Sequence, residues 1–262
     1  ISGDVASITP HYLYADSTRV VYNSTQDPVS LSGDFSIQMM VKDSDLTIVS
    51  GTGHPLLYST DSTFRLELSG ETIRFTMGNQ TRLLNLSNEN SKNNDNNIFS
   101  LTLTYCAHTQ TVTLYRDEQQ TATATIPLHN INSRLRFCCP YSLAPVSSYG
   151  VGIDEVRIFH RVLSQDNIRT YSRHALAGDE NGLILYYKFD MLSLSDIAIP
   201  NIAKMQATDG NGMMAANNAL IWNKAKNDDD YRYIHLSGDL IKRFEALTDE
   251  SGNYVLAGIP FA

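Results

Sequence analysis

The sequence predicts an all-β chain: a two-sheet antiparallel sandwich with one short helix after its last long strand. Three observations carry this prediction. Short segments alternate apolar and polar side chains, the period of a half-buried strand. Turn-forming residues separate them at close, regular intervals. Only one stretch, beginning at Ser164, has the start signals of a helix.

In chain order, residues 1–10 are weakly patterned and read as a connector or edge strand. Residues 12–22 contain a strand, and 23–28 a polar turn. Phe35, Ile37, Met39 and Val41 then alternate with Ser36, Gln38 and Met40, which marks a half-buried strand. The clearest hairpin spans Phe64 to Met77, where Gly70-Glu71 supplies a two-residue turn. That register sets Leu68 against Ile73, Leu66 against Phe75 and Phe64 against Met77. Arg65, Glu67, Arg74 and Thr76 fall on the opposite face.

Residues 85–97 are Asn-rich and read as a solvated loop. A second hairpin follows, Ser100–Tyr105 with Gln110–Tyr115. A loop over 106–109 would oppose Leu103 to Val112 and Leu101 to Leu114. Residues 121–126 and 134–138 add two strands, and 140–149 a loop.

Residues 151–160 form the next strand, which turns directly into the helix. Ile153, Val156 and Ile158 are all apolar, yet strict alternation cannot place all three on one face. With Val156 and Ile158 inward, Asp154 points inward too. A carboxylate on a core face must be hydrogen-bonded or bound to a cation, so Asp154 is read as a structural latch or a metal ligand. Ser164 is the expected N-cap, Leu163 and Ile168 the hydrophobic staple, and Gly178 the helix stop.

Composition limits the functions. The chain has 262 residues, 42% of them hydrophobic and 18% charged, with a net charge of −8. That balance disfavours nucleic acid and anionic membrane as partners, since both select a basic face. No apolar run reaches the roughly 18–20 residues that a membrane-spanning helix needs. Seven histidines are scattered without metal-ligand spacing. Three cysteines, Cys106, Cys138 and Cys139, leave open one bridge from Cys106 to either neighbour or three free thiols. The chain opens abruptly at Ile1 and reads as a fragment of a longer protein.

The run Ile153-Asp154-Glu155-Val156-Arg157-Ile158-Phe159, followed by Arg161-Val162-Leu163-Ser164, resembles the closing signature of laminin-G-like, concanavalin A-like jelly-roll domains. Asp34 to Lys42, the 101–105 and 111–115 hairpin, and Gly182 to Asp190 resemble further family motifs in family order. Met40 stands where the family has Trp, and Cys106 where its turn has Asp. The likeness runs over roughly 12–222 and implies a concanavalin A-like jelly-roll. On this reading residues 183–222 either complete the sheet beside 151–160 or open a second domain; the first is favoured. Residues 1–222 then form the jelly-roll and 223–234 a charged linker. Residues 235–262 form an incomplete β module whose 247–261 stretch resembles a carboxypeptidase-regulatory-like hairpin.

The resemblance implies a non-catalytic binding or adhesion module of a large, modular, secreted surface protein, bacterial by its likeness. Its partner would be a glycan or a surface protein. A purely structural spacer is the rival reading. A glycoside hydrolase is disfavoured, because hydrolysis uses two carboxyl groups across the scissile bond. Asp154 and Glu155 are adjacent and would point to opposite faces. Sugar contacts would come from exposed aromatic rings, with Tyr141, Tyr149 and Tyr58 as candidates. A structural Ca²⁺ at a sheet rim, held by Asp154 and Asp16, is the candidate metal site. Asn23, Asn79 and Asn85 stand in glycosylation sequons.

Overall fold

The computed structural model describes residues 12–16, 23–43, 53–87, 98–139, 150–189, 198–204 and 218–222. Its strands are β1 (Leu13–Asp16), β2 (Asn23–Thr25), β3 (Val29–Leu31), β4 (Phe35–Asp43), β5 (His54–Ser59), β6 (Phe64–Ser69), β7 (Thr72–Met77), β8 (Gln80–Asn85) and β9 (Ile98–Cys106). There follow β10 (Thr111–Arg116), β11 (Gln119–Thr125), β12 (Ile131–Ser133), β13 (Leu135–Phe137) and β14 (Gly150–Phe159). Helix α1 (Gln165–Arg173) precedes β15 (Leu183–Tyr187), β16 (Ala198–Ile199) and β17 (Leu220–Trp222).

Two antiparallel sheets form a concanavalin A-like jelly-roll sandwich. The larger runs β1-β14-β4-β9-β10-β11, with β15 also paired to β14; the smaller runs β13-β5-β6-β7-β8. Alternation decides which side chains meet between them. Phe35, Ile37, Met39, Leu101, Leu103, Val112 and Leu114 from one sheet join Phe64, Leu66, Leu68, Ile73 and Phe75 from the other in a single buried cluster. Phe35 and Phe64 meet edge-to-face across the layers at 5.8 Å.

The first hairpin has the expected register throughout: Leu68 opposes Ile73, Leu66 opposes Phe75 and Phe64 opposes Met77. Gly70 has φ 57° while Glu71 stays negative, the pattern of a type II′ turn with glycine at its first central position. The second hairpin slips by two residues. Leu114 opposes Leu103, Val112 opposes Tyr105, and the loop is 107–110. Gln110 belongs to the turn, at φ 51° with its amide donating to the Ala107 carbonyl. A two-residue slip keeps each side chain on its face, so alternation alone could not detect it.

Two further differences follow from non-local contacts. Residues 23–25 are a strand, not part of a turn, because β17 pairs with them. Asn23 is buried there and exchanges hydrogen bonds with the Phe137 backbone, which removes it as a surface sequon. Helix α1 ends at Arg173, with His174 extended. Gly178 instead serves a close approach: a Cβ at that position would lie 2.3 Å from the Ile202 carbonyl.

Segment 183–187 forms β15 on the same edge of β14 that β1 uses. β1 pairs with residues 150–153 of β14 and β15 with 156–159. Residues 223–262, and with them the linker and the carboxypeptidase-regulatory-like hairpin, lie outside the described residues.

Candidate functional site

β14 carries the feature that reorganises the expected site. Along β4 the partners of Asp154 and Arg157 are Met40 and Gln38, so β14 has one residue more than β4 over this interval. Glu155 sits at the irregularity with φ 51°. This is a β-bulge. It lets Val151 and Ile153 before it, and Val156 and Ile158 after it, all enter the main core.

The inward aim expected of Asp154 is therefore corrected. Its partner Met40 alternates with the core residues Met39 and Val41, so Asp154 lies on the outer side of the sheet. It is nevertheless buried, and its carboxylate accepts from the Glu155 amide at 2.8 Å. Asp16 pairs with Gly150, whereas Leu13 pairs with Ile153. Four residues of β14 thus separate the two aspartates, about 13 Å at strand rise. The sheet does not bring them together. Among the described residues no group of three His, Cys, Asp or Glu side chains is arranged to hold a metal ion.

The latch lies on Glu155 and Arg157 instead. Arg157 is 2% exposed and forms a salt bridge with Glu155. Its guanidinium also donates to Gln38 Oε1 at 3.0 Å, to the Tyr171 carbonyl, and to the His174 carbonyl at 2.9 Å. The last two are carbonyls at the C-terminal end of α1, where a cation also meets the negative end of the helix dipole. Tyr186 on β15 donates its hydroxyl to Glu155, and its ring lies 5.1 Å from the Arg157 guanidinium carbon. Burial, first of all, and the neighbouring Glu155 carboxylate push the Tyr186 phenol far above its ordinary pKa.

A second hook holds the other side of α1. Glu118, in the turn after β10, receives both Arg173 donors at 2.7 Å and the Ser172 hydroxyl at 3.0 Å. Partial burial acts to raise its pKa, but these hydrogen bonds and the Arg173 and Arg169 charges hold it below the ordinary carboxylate value. The helix start is as expected: Ser164 accepts from the Asn167 amide at 3.2 Å, and Leu163 and Ile168 are buried.

The outer side of the five-stranded sheet is arranged differently. Its register aligns Arg136, Tyr58, Arg65, Thr76 and Thr81 across successive strands, with Glu67, Arg74 and Leu83 in the adjacent row. Tyr58 is buried at 7% exposure, and its hydroxyl donates to Glu67. It stands on a strand and offers no exposed ring. Tyr141 and Tyr149 lie outside the described residues. Arg65, Arg74 and Arg136 are half-buried, and Leu83 is 65% exposed.

The cysteines are free thiols. Burial pushes Cys139 up to about 11 and Cys138 well above its ordinary value. Hydrogen bonds from Thr109 hold Cys106 below the usual thiol value.

Comparison with known proteins agrees with this architecture. The description of the concanavalin A-like lectin/glucanases superfamily matches residues 17–169, more than half of the chain. The chain belongs to that superfamily. β15, with β16 and β17, lies beyond the matched part of this superfamily member. No curated protein matches. A crystal structure of a candidate carbohydrate-binding protein from Bacteroides ovatus ATCC 8483 superposes with TM-score 0.59 at 13% identity, covering 83% of this chain and 58% of that one. This chain therefore spans somewhat more than half the length of that protein. A SAP-like pentraxin from Limulus polyphemus superposes with TM-score 0.47 at 7% identity, over 64% of this chain and 83% of that one. The binding domain of botulinum neurotoxin DC, solved in complex with rat synaptotagmin II, gives 0.43 at 14% identity, over 86% and 54%.

Proposed function

We propose that this chain is a non-catalytic glycan-binding module of a secreted, cell-surface protein. The superfamily holds both lectins and glucanases by name, so membership alone does not separate binding from hydrolysis. One observation favours binding: among the described residues, the buried carboxylates on the outer sides of the sheets are already engaged. Glu155 is held by Arg157 and Tyr186, Glu67 by Tyr58, and Asp154 by the Glu155 amide. A glycosidase needs one protonated and one ionised carboxyl group facing the sugar across about 5–9.5 Å. Carboxylates committed to an arginine or a tyrosine are poor candidates for either task. The Bacteroides ovatus structure, whose name points to carbohydrate, supports the reading at the level of the fold.

A glycan array probed with the chain tests the proposal. Binding to a defined set of glycans, with no release of reducing sugar from them, is the expected result. Hydrolysis of any bound glycan would sink the non-catalytic reading, and an empty array would favour a structural spacer. A structural Ca²⁺ is a separate proposal, with Asp154 or Asp16 as its carboxylate ligand. Chelator should then lower Tm, and an unchanged Tm removes the ion.

A further inference from the structure

Gln38 on β4 and Thr102 on β9 are direct cross-strand partners. They alternate with the core residues Ile37, Met39, Leu101 and Leu103, so both lie on the outer side of the seven-stranded sheet. Each is 1% exposed. The carboxamide meets the hydroxyl at 3.1 Å between Gln38 Nε2 and Thr102 Oγ1. Two further contacts of the carboxamide are placed as acyl transfer requires. Arg157 donates to Gln38 Oε1 at 3.0 Å, and Gln38 Nε2 donates to the Ile168 carbonyl of α1 at 3.3 Å. A donor at one end and an acceptor at the other fix which atom of the amide is oxygen.

An amide in water resists a neutral hydroxyl, so a site that joins the two must supply proximity, charge stabilisation and protection of the product. Antiparallel pairing supplies proximity, since directly opposed side chains keep their Cβ atoms within about 5.5 Å. Arg157 supplies the charge, a buried cation on the oxygen where negative charge develops as Gln38 Cδ becomes tetrahedral. Burial supplies the protection by keeping out the water that would hydrolyse an ester. We propose that Thr102 and Gln38 join through an ester bond that ties β9 to β4. Thr102 Oγ1 attacks Gln38 Cδ, the Cδ–Nε2 bond breaks, and the hydroxyl proton leaves with that nitrogen as ammonia. The hydrogen-bonded atoms Oγ1 and Nε2 are the two that exchange this proton. Hydroxyl plus carboxamide gives ester plus ammonia, with no oxidant or reductant consumed. The ammonia is protonated in water and diffuses away, which draws the exchange towards the ester. The bond links positions 64 residues apart and restricts the unfolded chain as a disulfide does.

The intact mass of the whole chain, folded and held at neutral pH, tests the proposal. The expected mass is that of the sequence less one ammonia. Cleavage after lysine and arginine should then leave residues 20–42 and 93–116 as one linked species, which alkaline hydroxylamine separates by opening the ester. Thr102→Val removes the nucleophile at nearly constant shape, so it should keep the full sequence mass and melt at a lower temperature than wild type. Wild type at the full sequence mass would overturn the proposal, whether or not the variant folds. Ammonia lost as a succinimide at an asparagine, with the two peptides separate, would overturn it as well. A linked species that persists in Thr102→Val would place the bond on other atoms and overturn this pair.

Discussion

Arg157 and Arg74 occupy matching places on the two sheets, each on the side away from the shared core, and they do opposite things. On the seven-stranded sheet, α1 closes over Arg157, whose two terminal nitrogens donate to a carboxylate, an amide oxygen and two carbonyls at the end of α1. On the five-stranded sheet, no helix crosses among the described residues. Arg74 stands opposite Glu67, one oxygen of which accepts from Tyr58. A cation surrounded by acceptors specifies a structure. The same cation opposite one glutamate, with no helix over it among the described residues, does less to fix the structure. Nothing in the residue type distinguishes the two; the helix and the tyrosine do.

The largest effect should come from breaking the closed side. Arg157→Met leaves the buried Glu155 charge unpaired and should cost about 3–5 kcal/mol, read from urea unfolding. A loss under about 1 kcal/mol would mean that the network does not fasten α1. Next in size is the second hook: Glu118→Gln should cost about 1–2 kcal/mol at pH 7. The Glu118 carboxyl is lower in pKa folded than unfolded. Its contribution is therefore complete above the unfolded value of about 4.3 and disappears as pH falls through the lower folded value. The difference between wild type and Glu118→Gln should shrink on acidification; a constant difference would refute the charge assignment. Smallest is Arg74→Gln, whose stability should stay within about 0.5 kcal/mol of wild type. A large loss there would make the open face as structural as the closed one.

How much of this was legible depends on the distance over which each feature is decided. The Phe64–Met77 hairpin was readable to the residue, since alternation and a glycine turn are both local. That same pattern already put Arg65, Glu67 and Arg74 on one face. Arg136 was not assigned to that face, because only the pairing of β13 with β5 places it beside Tyr58. The second hairpin is legible as a hairpin, but its register differs by two residues from the expected one, a slip that side-chain alternation cannot detect. Three apolar residues that could not share a face, Ile153, Val156 and Ile158, were the visible trace of the bulge. A strict period of two sets the latch on Asp154, whereas the bulge sets it on Glu155 and Arg157.

The sequence by itself determined the class of fold, the strands that alternate, the helix start at Ser164 and the side of the first hairpin that Arg65 and Arg74 take. These follow from period, capping and turn chemistry, which act over a few residues. Only the tertiary structure decided which polar groups are satisfied. Hydrogen-bond partners of a buried side chain come from strands and helix ends far along the chain, and one inserted residue in β14 redirects them all.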